Sequence, residues 1–231
     1  MHFMSHIGQD AWVAHVLKFK RDGFFLDFGG FDGVMHSNTF YLEKALGWRG
    51  ILVEPNPVPY IAACACRSCI TFNAALYPMS RCSLEFTIAH GLSSLTDYQH
   101  YDCNSELRKR ISEGIIRVDT INPTELLDRF HAPCLIDYMS LDVEGAEKVV
   151  INAIDLKRYK IALMSIEHNH DLEKQKDIRA YLSNYGYSVV EHRNDDLFYN
   201  LELLSHITGG NYSDPQDVQK NIFESYTLIT F

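Results

Sequence analysis

Two stretches of this chain are apolar without alternation until an acid interrupts them. Gly23–Phe28 reads G-F-F-L-D-F, and Gly50–Glu54 reads G-I-L-V-E. That pattern belongs to strands covered on both faces. Elsewhere apolar positions recur at helical spacing, as with Ile7, Trp12, Val13, Val16 and Leu17 near the start. The pattern predicts helices at about 5–19, 38–46, 57–66, 124–130, 144–153 and 172–185. It predicts strands at about 24–28, 50–54, 70–73, 83–88, 115–118, 136–141, 162–167, 187–192 and 196–199. Strands alternating with helices imply an α/β fold: a doubly wound, mostly parallel sheet. Asn194-Asp195 turns the last two strands into an antiparallel hairpin. With no repeat or linker, residues 1–231 read as one domain.

Two segments break the alternation. Residues 89–114 are polar and tyrosine-containing, a loop length that marks either a lid or acceptor region or a surface insertion. Residues 200–231 form an extension punctuated by Gly209-Gly210 and Asp214-Pro215. Its end, Tyr226–Phe231, has the pattern of an added strand or of a cover for a partner subunit.

The first strand runs through a glycine loop into a helix, which builds a nucleoside pocket in a parallel sheet. The glycines, Gly29, Gly30 and Gly33, do not have the dinucleotide spacing. Asp27 at the strand end and Asp32 in the loop would repel a pyrophosphate. They suit a cationic, phosphate-free ligand, and S-adenosylmethionine, with its sulfonium, ammonium and ribose, fits. Glu54 ends the second strand, where a carboxylate accepts from both ribose hydroxyls. Asp32-Gly33 also reads as a plain turn and Ser37 as a helix N-cap.

Ligands in such sheets bind beyond the carboxyl ends of the strands. That rule selects Asp27 and Gly29, then Glu54, Pro55 and Asn56, then Asn73, Ala74 and Ala75. It also selects the run Ser140–Gly145, with Asp142 and Glu144, and Glu167-His168-Asn169. Asp142 is equally placed to cap the helix that follows.

The chain resembles the FkbM family of S-adenosylmethionine-dependent methyltransferases. The matching segments are S-H-I-G-Q-D (Ser5–Asp10), F-L-D-F-G-G-F-D-G (Phe24–Gly33) and S-N-T (Ser37–Thr39). L-E-K-A-L-G-W-R-G-I-L-V-E-P-N-P (Leu42–Pro57), I-D-Y-M-S-L-D-V-E-G-A-E (Ile136–Glu147) and I-E-H-N (Ile166–Asn169) complete the set. The resemblance runs over roughly residues 5–199 and implies a class I, Rossmann-like methyltransferase acting on a hydroxyl of a sugar, glycan or small metabolite. It adds Asn38 to the cofactor side and supports Asn73–Ala75 lying against the adenine. Gln9 and Asp10 also match its pattern, at the start of a helix that either folds over the cofactor pocket or simply presents a polar face there.

Methyl transfer to an alcohol needs a base, and His168 is the expected one, oriented by Glu167 with Asp142 and Glu144 alongside. A sharper alternative is a divalent ion, magnesium or manganese, held by Asp142, Glu167 and His168.

Composition narrows the rest. A net charge of −9 disfavours nucleic acid, which requires clustered cations. Arg108-Lys109-Arg110 reads as a solvated helix face. No apolar run reaches membrane-spanning length and no signal peptide is evident, so a cytoplasmic protein with reduced thiols is expected. The C-A-C-R-S-C run, Cys64–Cys69, reads as packed thiols rather than zinc ligands. Rival functions are methylation of RNA ribose or of protein, and a nicotinamide-dependent oxidoreductase or nucleotide-binding module.

Overall fold

The computed structural model describes residues 2–99 and 103–227 of the 231. In chain order the strands are β1 (Phe24–Phe28), β2 (Arg49–Val53), β3 (Ile70–Phe72), β4 (Ala75–Leu76), β5 (Ser83–Ile88) and β6 (Ser94–Leu95). They continue as β7 (Gly114–Ile121), β8 (Leu135–Leu141), β9 (Lys160–Glu167), β10 (Ser188–His192) and β11 (Asp195–Tyr199). The helices are α1 (Gln9–Val16), α2 (Phe40–Leu46), α3 (Pro57–Cys66), α4 (Ser105–Ile111) and α5 (Pro123–Arg129). Then come α6 (Glu147–Asn152), α7 (Leu172–Ser183), α8 (Leu201–Thr208) and α9 (Pro215–Thr227).

Seven strands form the main sheet in the order β10-β11-β9-β8-β1-β2-β3. β3, β2, β1, β8 and β9 pair in parallel, and β11 runs antiparallel to both its neighbours. This is the doubly wound, mostly parallel sheet with a terminal antiparallel hairpin expected from the sequence. Strand order reverses at β1, whose neighbours are β2 and β8, so the crevice opens above their carboxyl ends. One face of the sheet packs on α1, α2, α8 and α9 through Trp12, Val13, Leu42, Leu204 and Val218. The other packs on α5, α6 and α7 through Leu126, Val150, Ile151 and Ile178. Burial of these side chains is the main favourable term holding the crevice in shape.

A second, four-stranded sheet, β4-β7-β5-β6, leans over the edge of the crevice. It was not anticipated as a separate sheet, because β4 and β6 are two residues each and carry no periodicity.

Several boundaries differ from expectation for local reasons. The first helix begins at Gln9, not at residue 5: Ser5 Oγ donates to Asp10, and Gly8 is left-handed at φ 94°. Helix α6 begins at Glu147 rather than 144, since Glu144 and Gly145 both have positive φ, 56° and 113°. Residues 89–114 are not one loop: they hold β6, a short 3₁₀ turn at Thr96–Tyr98 and α4. The extension folds as α8 and α9, so Tyr226 and Thr227 are helical where a strand was expected; residues 228–231 lie outside the described residues. Among the described residues no helix is long and apolar enough to cross a membrane.

Candidate active site

The turn after β1 is built around Gly29. Its φ is +93°, and a Cβ there would lie 1.7 Å from the Asp142 carbonyl oxygen. Only glycine lets the β1 and β8 loops approach so closely. The Gly29 and Gly30 N–H groups both donate to Val53 O, at 3.0 and 3.1 Å, which ties the loop to β2.

Two connected spaces open above these strand ends. The first is a narrow, largely apolar slot between the main and small sheets, lined by Val53, Ala74, Ala75, Leu76, Phe86 and Leu95. Glu54 and Pro55 close one side. The second is a cleft of about 860 Å³ reaching from the Gly29–Gly30 loop to the β10–β11 hairpin. Gly29, Phe31, His90, Gly91, Asp142 and Glu144 line both. Backbone strain gathers here: Phe31, His36, His90, Glu144, Asn169, His170 and Arg193, all at positive φ, border these spaces. Strain of this kind persists only where surrounding contacts impose it, and it clusters at functional sites.

The carboxylates define the electrostatics. Glu54 is buried and accepts the N–H groups of Phe31 (3.0 Å) and Asn56 (2.8 Å). Burial still pushes its carboxyl up to about 7. Burial likewise raises Asp142 to about 6 and Asp195 to about 7. Glu167 is raised well above the usual carboxylate range by burial and by Asp142, Glu144 and Asp195 nearby. Carboxylate oxygens of Asp142 and Glu167 lie within 4.8 Å of each other, and Asp142 Oδ1 is buried without a partner among the described residues. Glu167 also receives the side-chain amides of Asn169 (2.5 Å) and Asn194 (3.1 Å). Asp195 receives the Gln9 amide at 2.9 Å. None of these four carboxylates is in an ion pair among the described residues. Buried charge of one sign without a partner is costly, so the site favours a cation or retained protons.

Other expected residues are placed differently. Asp27 lines the cleft, but it accepts the Thr39 hydroxyl and sits 3.6 Å from Arg67, a buried guanidinium also bound to Glu43 at 2.7 Å. Asp32 turns away and receives the N–H groups of Val34 and Met35, the turn role weighed for it in the sequence. Gly33 packs against Arg67 and Ala63. Ser37 accepts the N–H groups of Thr39 and Phe40 and also lines the cleft. Asn38 lines it too and donates to Ser140 at 2.8 Å. Asn56 caps α3 through Val58 N–H, and Asn73 donates to the Glu54 and Pro55 carbonyls, so neither amide faces the slot; Ala74 does.

His168 is not brought together with the acids. Its ring is buried 3.9 Å from Asp196, and its Nδ1 accepts the His170 N–H at 3.1 Å. The strand alternates, so Glu167 faces the cleft while His168 faces the underside. The metal set changes accordingly. Among the described residues, the three metal-ligating side chains that converge within 4.8 Å are Asp142, Glu144 and Glu167, without His168. Glu144 already spends an oxygen on Arg108, at 2.8 Å.

Arg108 overturns the reading of Arg108–Arg110 as a solvated face. It is fully buried, donating to Leu92 O (2.5 Å) and Gln99 O (2.7 Å) as well as to Glu144. Lys109 and Arg110 are exposed as expected. Tyr98 packs on the core, with its carbonyl against Gly145, rather than lining the cleft; Tyr101 lies outside the described residues. Sequence reasoning passed over Asp195 as a turn residue. The available signal was Asp195-Asp196, two acids opening a strand that the hydrophobic pattern places inside the sheet.

The family model described as "Methyltransferase FkbM domain" matches residues 27–189. No curated protein matches the sequence. Among solved structures, a methyltransferase FkbM from Methylobacillus flagellatus is 11% identical with a TM-score of 0.49, over 77% of this chain and 43% of that one. A precorrin-6y C5,15-methyltransferase from Geobacter metallireducens is 14% identical with a TM-score of 0.45, over 82% and 84%. The N-terminal domain of human METTL16 in complex with SAH is 11% identical with a TM-score of 0.41, over 82% and 67%. The chain thus spans less than half the length of the Methylobacillus protein.

Proposed function

The chain belongs to the FkbM methyltransferase family, and from that premise we propose that it moves a methyl group from S-adenosylmethionine to a hydroxyl of a sugar, glycan or small metabolite. One observation carries the reading: a slot and cleft at the strand-order switch are edged by four carboxylates, Glu54, Glu167 and Asp195 buried and Asp142 half-buried, none of them in an ion pair among the described residues. The residues fit the cofactor. The slot has the apolar walls an adenine needs, and Glu54 stands at the end of β2 with lone pairs to spare for ribose hydroxyls. The orphaned Asp142 Oδ1 lies where the two spaces join, beside the Gly29 turn, and supplies negative charge for a cationic group. Bound S-adenosylmethionine supplies an electrophilic methyl on a sulfonium.

The chain's own share of the chemistry is alignment. Glu54 and Asp142 fix one reactant, and the cleft wall beyond Asp142 fixes the other, an arrangement worth several kcal/mol of barrier in oriented reactions. The small sheet shields the slot from water through Leu76, Phe86 and Leu95. The amides of Gln9, Asn169 and Asn194 are bound to carboxylates and hold them in place at the acceptor end. A donor-rich, hydroxylated acceptor suits such a wall of oxygens.

Calorimetry with S-adenosylhomocysteine and with NAD tests the reading. Binding of the first and not the second is expected, and Glu54→Gln should weaken it by ~10-fold or more, the worth of one charge-assisted hydrogen bond. NAD binding with no response to S-adenosylhomocysteine sinks the proposal.

A further inference from the structure

β9 ends in a turn that the strand chemistry alone does not require. Asn169 and His170 are consecutive non-glycine residues in the left-handed region, at φ 48° and 59°. Each costs on the order of 1 kcal/mol or more, so the surroundings must impose them. They do so from three sides. The His168 and Asn169 N–H groups both donate to Asn194 O in the β10–β11 hairpin, at 2.8 and 3.2 Å. Asp171 N–H returns to His168 O at 2.9 Å, and its carboxylate caps α7 by accepting from Glu173 and Lys174. The His170 N–H is taken by the ring of His168, at Nδ1, 3.1 Å away. A backbone N–H only donates, so Nδ1 of His168 carries no proton and the neutral ring holds its proton on Nε2. His168 is buried at 3% exposure and serves as a fixed acceptor.

The product of this turn is an exposed His170 imidazole on the wall of the cleft. The buried Asn169 amide, on the same turn, reaches Glu167 at 2.5 Å and Glu144 at 3.4 Å. The other imidazoles on the wall are differently engaged. His90 pairs with Glu113 at 3.2 Å, and His6 and His36 lie against each other with ring centroids 4.9 Å apart.

We propose that His170 is the general base toward the acceptor hydroxyl, and that His168 is its positioning residue. The inference rests on the methyl-transfer reading. His170 takes the hydroxyl proton on a ring nitrogen while that oxygen bonds to the methyl carbon, and the carbon–sulfur electron pair leaves with sulfur. The proton then passes to solvent, which the exposed ring touches. The charged groups sharing this end of the cleft with the ring are Glu144, Glu167, Asp195 and Arg193, with His168 behind the turn.

The test uses the full chain labelled with nitrogen-15 histidine. His170 is assigned by the signal missing in His170→Ala, and its ring titration is followed with and without S-adenosylhomocysteine. The His170 resonances should move on binding. His168→Asn, whose Oδ1 replaces Nδ1 as the acceptor, should keep that response, and His168→Leu should lose it while still binding S-adenosylhomocysteine. With labelled S-adenosylmethionine and a pool of monosaccharides as acceptor probe, His170→Ala should lower turnover by ~10²-fold or more and leave cofactor affinity unchanged. A His170 ring that ignores the bound compound, or a His170→Ala enzyme at wild-type rate, overturns the proposal. Wild type that does not bind S-adenosylhomocysteine at all overturns the methyl-transfer reading instead.

Discussion

Arg108 and Glu144 form a buried ion pair at 2.8 Å, with side-chain exposures of 0% and 9%. Through it α4 is fastened to the loop after β8, and the same guanidinium holds the carbonyls of Leu92 and Gln99. The pair joins the segment beside the crevice to its floor.

Arg108→Ala should therefore destabilise the protein by about 3–5 kcal/mol, the usual cost of leaving one buried charge without its partner. Arg108→Lys keeps the charge but not the fork that reaches Leu92, Gln99 and Glu144 together, and should fall between. Thermal unfolding checks the order: wild type above Lys above Ala. Equal melting temperatures for all three would show the pair to be energetically idle.

Glu54, Asp142 and Asp195 have carboxyl groups held up to about 7, 6 and 7 in the folded chain. The folded form therefore binds protons more tightly than the unfolded one between pH 4 and 7. The stability they contribute is complete below the unfolded values, near 4, and is lost as pH rises through about 7. The ligand-free protein should melt at a higher temperature at pH 5.5 than at pH 8. Glu43, held down to about 2 with Lys44 and Arg67 beside it, opposes this trend only in more acid solution. His168 and His192, lowered by burial, oppose it as pH falls through the unfolded imidazole value near 6.5, and the three carboxylates outweigh them. Binding of S-adenosylmethionine should follow the opposite slope, weakening toward pH 5.5 by up to ~10-fold per unit for each carboxylate it needs ionised. Melting curves and calorimetry at several pH values give both slopes; parallel slopes would refute the account.

Asp32 and Glu54 make opposite predictions despite their similar standing in the sequence. Asp32 only receives two backbone N–H groups, a role asparagine also fills. Asp32→Asn should leave S-adenosylhomocysteine affinity within ~2-fold of wild type, while Glu54→Gln loses ~10-fold or more. Calorimetry on the two variants decides it.

Gly29→Ala should be severe. The added methyl would stand 1.7 Å from the Asp142 carbonyl at a φ of +93°, so the β8 loop must move. A loss of about 2 kcal/mol or more in stability is expected, together with measurable loss of S-adenosylhomocysteine binding. A variant that binds like wild type would mean that the β8 loop yields freely.

The parallel sheet and its crevice were legible because strands alternate with helices and β1 and β2 are apolar runs that meet an acid, a signal carried by adjacent residues. Glu54, Asp142, Glu144 and Glu167 meet at the crevice because each lies at or just past the carboxyl end of a strand. His168 was misplaced because strand alternation decides which of two consecutive residues faces the cleft, and the strand's last residue is not visible in composition. Asp195, Arg67 and Arg108 were missed because each acts through a partner distant in sequence: Gln9, Glu43 and Glu144. The small sheet was missed because its pairing, Ala75 with Thr120 and Phe86 with Leu95, rests on contacts that no periodicity announces.

The cleft wall borrows His6, Ile7 and Gln9 from the start of the chain and Arg193, Asn194 and Asp195 from the hairpin, all beyond the matched stretch 27–189. On the proposed reading, residues 27–189 alone would keep the Glu54–Asp142 end of the site without these six wall residues, and a fragment trimmed to those bounds would bind the cofactor product but lose their contacts with an acceptor.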